Sequence, residues 1–134
     1  MSNLDETVSA SLQDYLEVIL FLSERGERVR VTDIALELNI AKASVTQALS
    51  ILKKQGLVYQ DRYGPVKLTN EGQDYAAQVY NRHQVIRKFL TEILQVDPGV
   101  AEKDACALEH VVSHHTFKKM THYLKERGLN IQTK

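Results

Sequence analysis

Cys106, Glu109 and His110 stand at i, i+3 and i+4, a spacing that sets three side chains on one face of a helix. Thiolate, carboxylate and imidazole are all ligands for first-row transition metals. Two more sites carry the same chemistry. Asp14 and Glu17 are an acid pair at i and i+3, and His83 interrupts an otherwise apolar stripe. Spacing alone leaves two readings open. These groups bind a metal, or they are a hydrogen-bonded core histidine, ordinary solvent-facing acids and a small buried thiol. His114, His115 and His122 fall outside the pattern and read as surface or capping residues.

A second set of residues suits a different task. Ala41, Lys42, Ala43, Ser44, Thr46 and Gln47 open one short helical segment. Small alanines let a backbone approach DNA and touch a thymine methyl. Hydroxyls donate to phosphates or base edges, and Gln47 can pair with adenine through two hydrogen bonds. Lys42, Lys53, Lys54 and Arg62 are placed for phosphates. Between Ala41 and Thr69 there are five basic side chains against one acidic, a local +4 in a chain whose net charge is zero. Such a patch is an electrostatic footprint for nucleic acid or simply a solvated face.

The elements that must hold these residues follow from apolar periodicity and its punctuation. A first helix is predicted over Asp5–Arg25, with Leu12, Tyr15, Leu16, Ile19 and Leu22 inward. Thr32 is the expected N-cap of a short second helix ending near Leu38, with Val31 and Leu36 as its hydrophobic staple. A tight Asn39-Ile40 connection leads to a third helix, Lys42–Gln55, which buries Val45, Leu49 and Leu52 and stops at Gly56. Leu57–Asp61 and Val66–Thr69 read as a hairpin around Arg62-Tyr63-Gly64-Pro65. Thr69 caps a long helix over Asn70–Gln95, ~39 Å at ~1.5 Å per residue. Its stripe is Ala76, Val79, His83, Ile86, Leu90 and Ile93. Asp97-Pro98 starts a fifth helix, and Ser113 caps a sixth that ends at Gly128.

Two short helices, a tight turn and a hairpin describe a winged helix-turn-helix, whose second helix enters the major groove. The predicted fold is therefore mainly α. A winged helix-turn-helix occupies residues 1–69, and a helical metal-binding and dimerisation domain occupies residues 70–134. Leu90, Ile93, Leu94, Leu108, Val111 and Val112 are either its pairing surface or each monomer's own core.

Composition narrows the function classes. At 134 residues the chain is too short for a barrel enzyme or a full dinucleotide-binding enzyme. It has no Gly-rich phosphate loop, His-Glu-x-x-His or nucleophile elbow. An enzyme is not expected, nor is a small-molecule substrate. The longest apolar run, Val18–Leu22, is far below the ~20 residues that span a bilayer, so no membrane partner is expected. Cys106 is the only cysteine and the N-terminus is acidic and polar, which points to the reducing cytoplasm.

Four segments occur in one order: Asp14-Tyr15-Leu16-Glu17, Ala41-Lys42-Ala43-Ser44-Val45-Thr46-Gln47, Arg82-His83 and Cys106-Ala107-Leu108-Glu109-His110. Together they resemble the diphtheria-toxin-repressor family of metal-dependent transcriptional repressors, which includes iron-dependent repressors and manganese transport regulators. The resemblance covers about Leu12–Tyr123. It implies a homodimer that binds pseudo-palindromic, double-stranded operator DNA when loaded with divalent metal and controls iron or manganese homeostasis genes. In length and in the Asp14/Glu17 pair the chain is similar to the manganese branch; Cys106 matches the iron branch. Arg87 and Glu102 stand where iron-responsive members have a Glu and a His of an ancillary site, so that site is not implied. The implied arrangement is binuclear, from Asp14, Glu17, His83, Cys106, Glu109 and His110. One soft thiolate among these donors favours Fe²⁺, with Mn²⁺ the close alternative. A winged-helix regulator answering a non-metal signal is the competing reading.

Overall fold

The computed structural model describes residues 8–26 and 28–129. They divide into two compact units, one running to Ala77 and the other starting at Gln78. As expected, the described residues are mainly helical, with a single two-stranded sheet.

In the first unit, α1 (Ala10–Glu24) begins where the Ser9 hydroxyl accepts the Leu12 N–H at 3.3 Å. The expected start at Asp5 is therefore too early, and residues 5–7 lie outside the described residues. Tyr15, Leu16, Ile19 and Leu22 are buried as predicted. The second helix, α2 (Val31–Leu38), is capped at Arg30, not Thr32. The Asp33 carboxylate reaches back to accept the Arg30 N–H at 2.9 Å and satisfies an amide that the helix cannot. The residues in staple positions are then Val29 and Ile34, both buried, while Leu36 is 77% exposed.

Asn39 takes the left-handed conformation (φ 55°) that an asparagine tolerates, and this tight turn delivers the chain to α3 (Lys42–Lys54). Val45, Ala48, Leu49 and Leu52 face the core. The helix ends in a Schellman motif. Gly56, at φ 75°, donates to Lys53 O, and Leu57 donates to Leu52 O. That use of Leu57 trims the hairpin to β1 (Val58–Gln60) and β2 (Val66–Leu68), antiparallel with Val58 opposite Leu68. At the other end, Asp61 O accepts the Gly64 N–H at 2.8 Å and closes the turn.

Thr69 accepts the Gly72 N–H at 3.0 Å as the expected cap of α4 (Asn70–Lys88), and its hydroxyl donates to Gly56 O at 2.7 Å. One side chain thus fastens the end of α3 to the start of α4. Gly72 is obligatory there: a Cβ would lie 1.9 Å from Leu57 O.

The second unit contains the remainder of α4, α5 (Pro98–Leu108) and α6 (His114–Glu126). The predicted straight helix to Gln95 is not formed. After Lys88 the backbone widens into a π-turn, Phe89–Ile93, where Leu94 N–H bonds to Phe89 O. Thr91 donates its hydroxyl toward the Arg87 and Lys88 carbonyls at this widening, and Gln95 turns the chain out at φ 56°. The extra residue per turn breaks the predicted stripe, so Leu90 stays buried but Ile93 is only half-buried. Ala101 and Ala105 lie one turn apart on α5 and pack against Ile86 of α4 and Leu90 of the π-turn. Alanines at this seam let α5 approach the π-turn closely. Val85, Phe117 and Leu124 make the core beneath α6, with Phe89 and Tyr123 edge to face at 5.7 Å.

Candidate functional site

The DNA-reading residues expected from sequence sit on the first unit. Ala41, Lys42, Ala43, Ser44, Thr46 and Gln47 are all exposed around the first turns of α3, while Val45 between them is buried. The Thr46 hydroxyl donates to Lys42 O at 3.1 Å, which commits its proton and leaves its oxygen as an acceptor. Lys53 and Lys54 are exposed at the other end of α3, with Lys53 Nζ donating to Gln60 Oε1 of β1 at 3.1 Å. Arg62 lies on the hairpin tip, its guanidinium 5.3 Å from the ring centre of Tyr63, a ring that is 91% exposed. Tyr63 is an exposed aromatic on the wing that sequence reasoning treated only as a turn residue.

The second unit gathers chemistry around His83, which α4 carries one turn before Ile86 and Arg87. The alanine seam brings α5 alongside, and α5's next stripe, Glu102, Cys106 and Glu109, runs past the imidazole. His83 Nε2 is 2.8 Å from Glu102 Oε2, and Cys106 Sγ is 3.8 Å from the same oxygen. His83 Nδ1 is 2.9 Å from Glu109 Oε1. Among the described residues, donor atoms of His83, Glu102 and Cys106 lie within 4.8 Å of one another. One imidazole nitrogen, one carboxylate oxygen and one thiol sulfur are an apt donor set for a divalent transition ion. Bonds of ~2.0–2.3 Å would put such donors roughly 3–4 Å apart. Glu109 takes the opposite ring nitrogen, the usual position of an acceptor that fixes the orientation of a metal-binding histidine.

Of the two residues predicted to share a helix face with Cys106, Glu109 keeps helical backbone geometry, its N–H donating to Ala105 O at 3.0 Å, whereas His110 does not continue α5. The helix ends at Leu108, Glu109 is its C-cap, and His110 lies in the following turn. Cys106 is exposed and Glu109 is 2% exposed. The turn is fixed by buried Arg82, whose Nε donates to Glu109 O at 2.8 Å and whose terminal nitrogen donates to Val112 O. Its guanidinium also lies 5.2 Å from the ring centre of Phe117. Burial lowers the Arg82 pKa, and the nearby Glu109 charge partly opposes that shift. Of the six expected ligands, the second unit brings His83, Cys106 and Glu109 together and leaves His110 half-buried just beyond α5. Asp14 and Glu17 are partly buried on α1 in the first unit. Glu102 is the member that spacing missed. Its signal was present, four residues before Cys106 and seven before Glu109, but an acid on a helix surface reads as solvated until a histidine is packed opposite.

Comparison with known proteins decides what this arrangement belongs to. The profile described as iron dependent repressor, N-terminal DNA binding domain, matches residues 7–66. That of the iron dependent repressor, metal binding and dimerisation domain, matches residues 69–129. The transcriptional regulator MntR of Escherichia coli O6:H1 is 32% identical over 117 residues, 87% of this chain and 75% of its own. The chain belongs to the iron-dependent repressor family. An uncharacterised HTH-type transcriptional regulator of Methanocaldococcus jannaschii is 32% identical over 89% of this chain and 96% of its own. The solved structure of the manganese regulator SloR superposes with a TM-score of 0.77 at 30% identity, over 85% of this chain and 53% of SloR, so this chain spans about half of SloR's length. Within the iron-dependent repressor family, the two profiles assign DNA binding to the segment holding α1 to β1. They assign metal binding and dimerisation to the segment holding His83, Glu102, Cys106 and Glu109. Among the described residues no helix is long and apolar enough to cross a membrane.

Proposed function

We propose that this protein is a cytoplasmic, metal-activated repressor, without enzymatic activity, that binds pseudo-palindromic operator DNA as a homodimer and controls iron or manganese homeostasis genes. Residues 1–69 read DNA, and residues 70–134 bind metal and dimerise. The observation that carries the reading is the convergence of His83 Nε2, Glu102 Oε2 and Cys106 Sγ in the segment matched by the metal-binding profile. Glu109 holds His83 by its other nitrogen, and Arg82 holds the turn that carries Glu109. His83 on α4 and Glu102 and Cys106 on α5 would hold the ion, which would supply positive charge there. Asp14, Glu17 and His110 enter on the family resemblance and would complete a binuclear centre.

An ion can shift operator affinity only by its preference for the DNA-competent conformation, and a tenfold shift needs about 1.4 kcal/mol. The exposed head on α3 and the Arg62 wing tip are the surface that gains from it. Fe²⁺ is the favoured signal because Cys106 offers a thiolate where oxygen donors would suit Mn²⁺ better. A second reading, Mn²⁺, has support from the relatives named as manganese regulators. An electrophoretic shift assay with operator DNA, comparing chelator, anaerobic Fe²⁺, Mn²⁺ and Zn²⁺, separates them. Metal-activated binding is expected, strongest with Fe²⁺; equal affinity with and without chelator would remove the metal switch.

A further inference from the structure

We propose that Arg87 is a tethered cation that competes with the metal for Glu102 and so sets the affinity of the centre. The inference rests on the metal-centre reading above. Glu102 presents its two oxygens to different partners. Oε2 faces His83 Nε2 at 2.8 Å and Cys106 Sγ at 3.8 Å, whereas Oε1 lies 3.6 Å from Arg87 Nε. Gln84 keeps the guanidinium nearby by accepting from its terminal nitrogen at 3.0 Å.

Two carboxylates at this cluster therefore already have a guanidinium beside them, Glu109 with Arg82 and Glu102 with Arg87. The two arginines differ in freedom. Arg82 is 6% exposed and bound to two backbone carbonyls, so it is part of the scaffold. The Arg87 side chain is 40% exposed and that of Glu102 is 55% exposed. An ion pair this wet is weak and readily exchanged. At 3.6 Å the contact is too long for a directed hydrogen bond, so Arg87 does little to orient Glu102. What remains is charge. A tethered positive group beside Glu102 offsets part of the carboxylate charge that an ion needs, and it repels the ion once bound.

The test uses the full-length chain under anaerobic conditions, titrated with Co²⁺. Binding is followed by the thiolate-to-cobalt charge-transfer band and the ligand-field bands, and in parallel by calorimetry with Mn²⁺. Arg87→Ala and Arg87→Gln should each bind about tenfold more tightly, equivalent to about 1.4 kcal/mol, and Arg87→Lys should bind like the parent chain. Glu102→Gln should bind at least tenfold more weakly. Unchanged or weaker binding by both neutral Arg87 variants, or unchanged binding by Glu102→Gln, overturns the proposal. A parent chain that shows no cobalt band removes the metal-centre reading as well, so the two failures are told apart.

Discussion

At the scale of single residues, the centre depends on the division of labour around one imidazole. His83 has two nitrogens, and the fold assigns them different partners: Glu109 at Nδ1 and the Glu102–Cys106 side at Nε2. A buried carboxylate that fixes a ligand's orientation typically carries about 10- to 100-fold in metal affinity. Glu109→Gln keeps the size and removes the charge. It should weaken Co²⁺ binding by roughly that factor while leaving helix content, measured by circular dichroism, unchanged. Parent-like affinity would mean that His83 needs no anchor. Cys106 is different in kind. Its exposure gives an ion access to sulfur, and it alone tilts the donor set away from a purely oxygen and nitrogen site.

At the scale of elements, two joints position the functional surfaces. The first is the Schellman end of α3, where Gly56, Leu57 and Thr69 bind the reading helix to the hairpin and to α4. Gly72 sits at the tightest point. Gly72→Ala must push Leu57 O or the first turn of α4 aside, since the two nearest atoms, at 1.9 and 2.9 Å, are Leu57 backbone. Overpacking of this kind costs about 1–3 kcal/mol, and the loss should appear as a lower urea midpoint with little change in slope. An unaltered midpoint would show that the joint yields more easily than its geometry suggests. The second joint is the Arg82 clamp on the α5–α6 turn. It explains why α5 stops at Leu108 although the spacing of Cys106, Glu109 and His110 is helical: two carbonyls are taken by a side chain from α4.

At the scale of the whole molecule, operator recognition by a repressor of this kind requires two heads, hence two chains. Of the apolar residues expected to pair, Leu90 is buried, and Ile93, Leu108 and Val112 are half-buried against the unit's own cores. Leu94 and Val111 are 58% and 75% exposed. They are the part of the predicted surface still free to meet a second copy. Leu94→Glu combined with Val111→Glu should shift the protein from dimer to monomer by light scattering and reduce operator affinity, with thermal stability of the monomer retained. A dimer that survives both changes pairs through another face.

The sequence by itself determined the periodic and punctuated parts. The α3 stripe, its Gly56 stop, the hairpin, and the Asp97 and Ser113 caps are local effects, decided by a few neighbouring residues. The residue types of the candidate metal centre were equally visible. Tertiary structure alone decided which of them meet. By spacing Glu102 looked like any exposed acid, and the resemblance gave it only as a departure from the iron branch; packing of Ala101 and Ala105 against Ile86 and Leu90 puts it beside His83. The end of α5 was likewise unreadable, because the Arg82 side chain that holds the following turn comes from α4. A helical repeat states where side chains lie around one axis, but the partner that captures a carbonyl or an imidazole comes from another helix, and its arrival depends on packing.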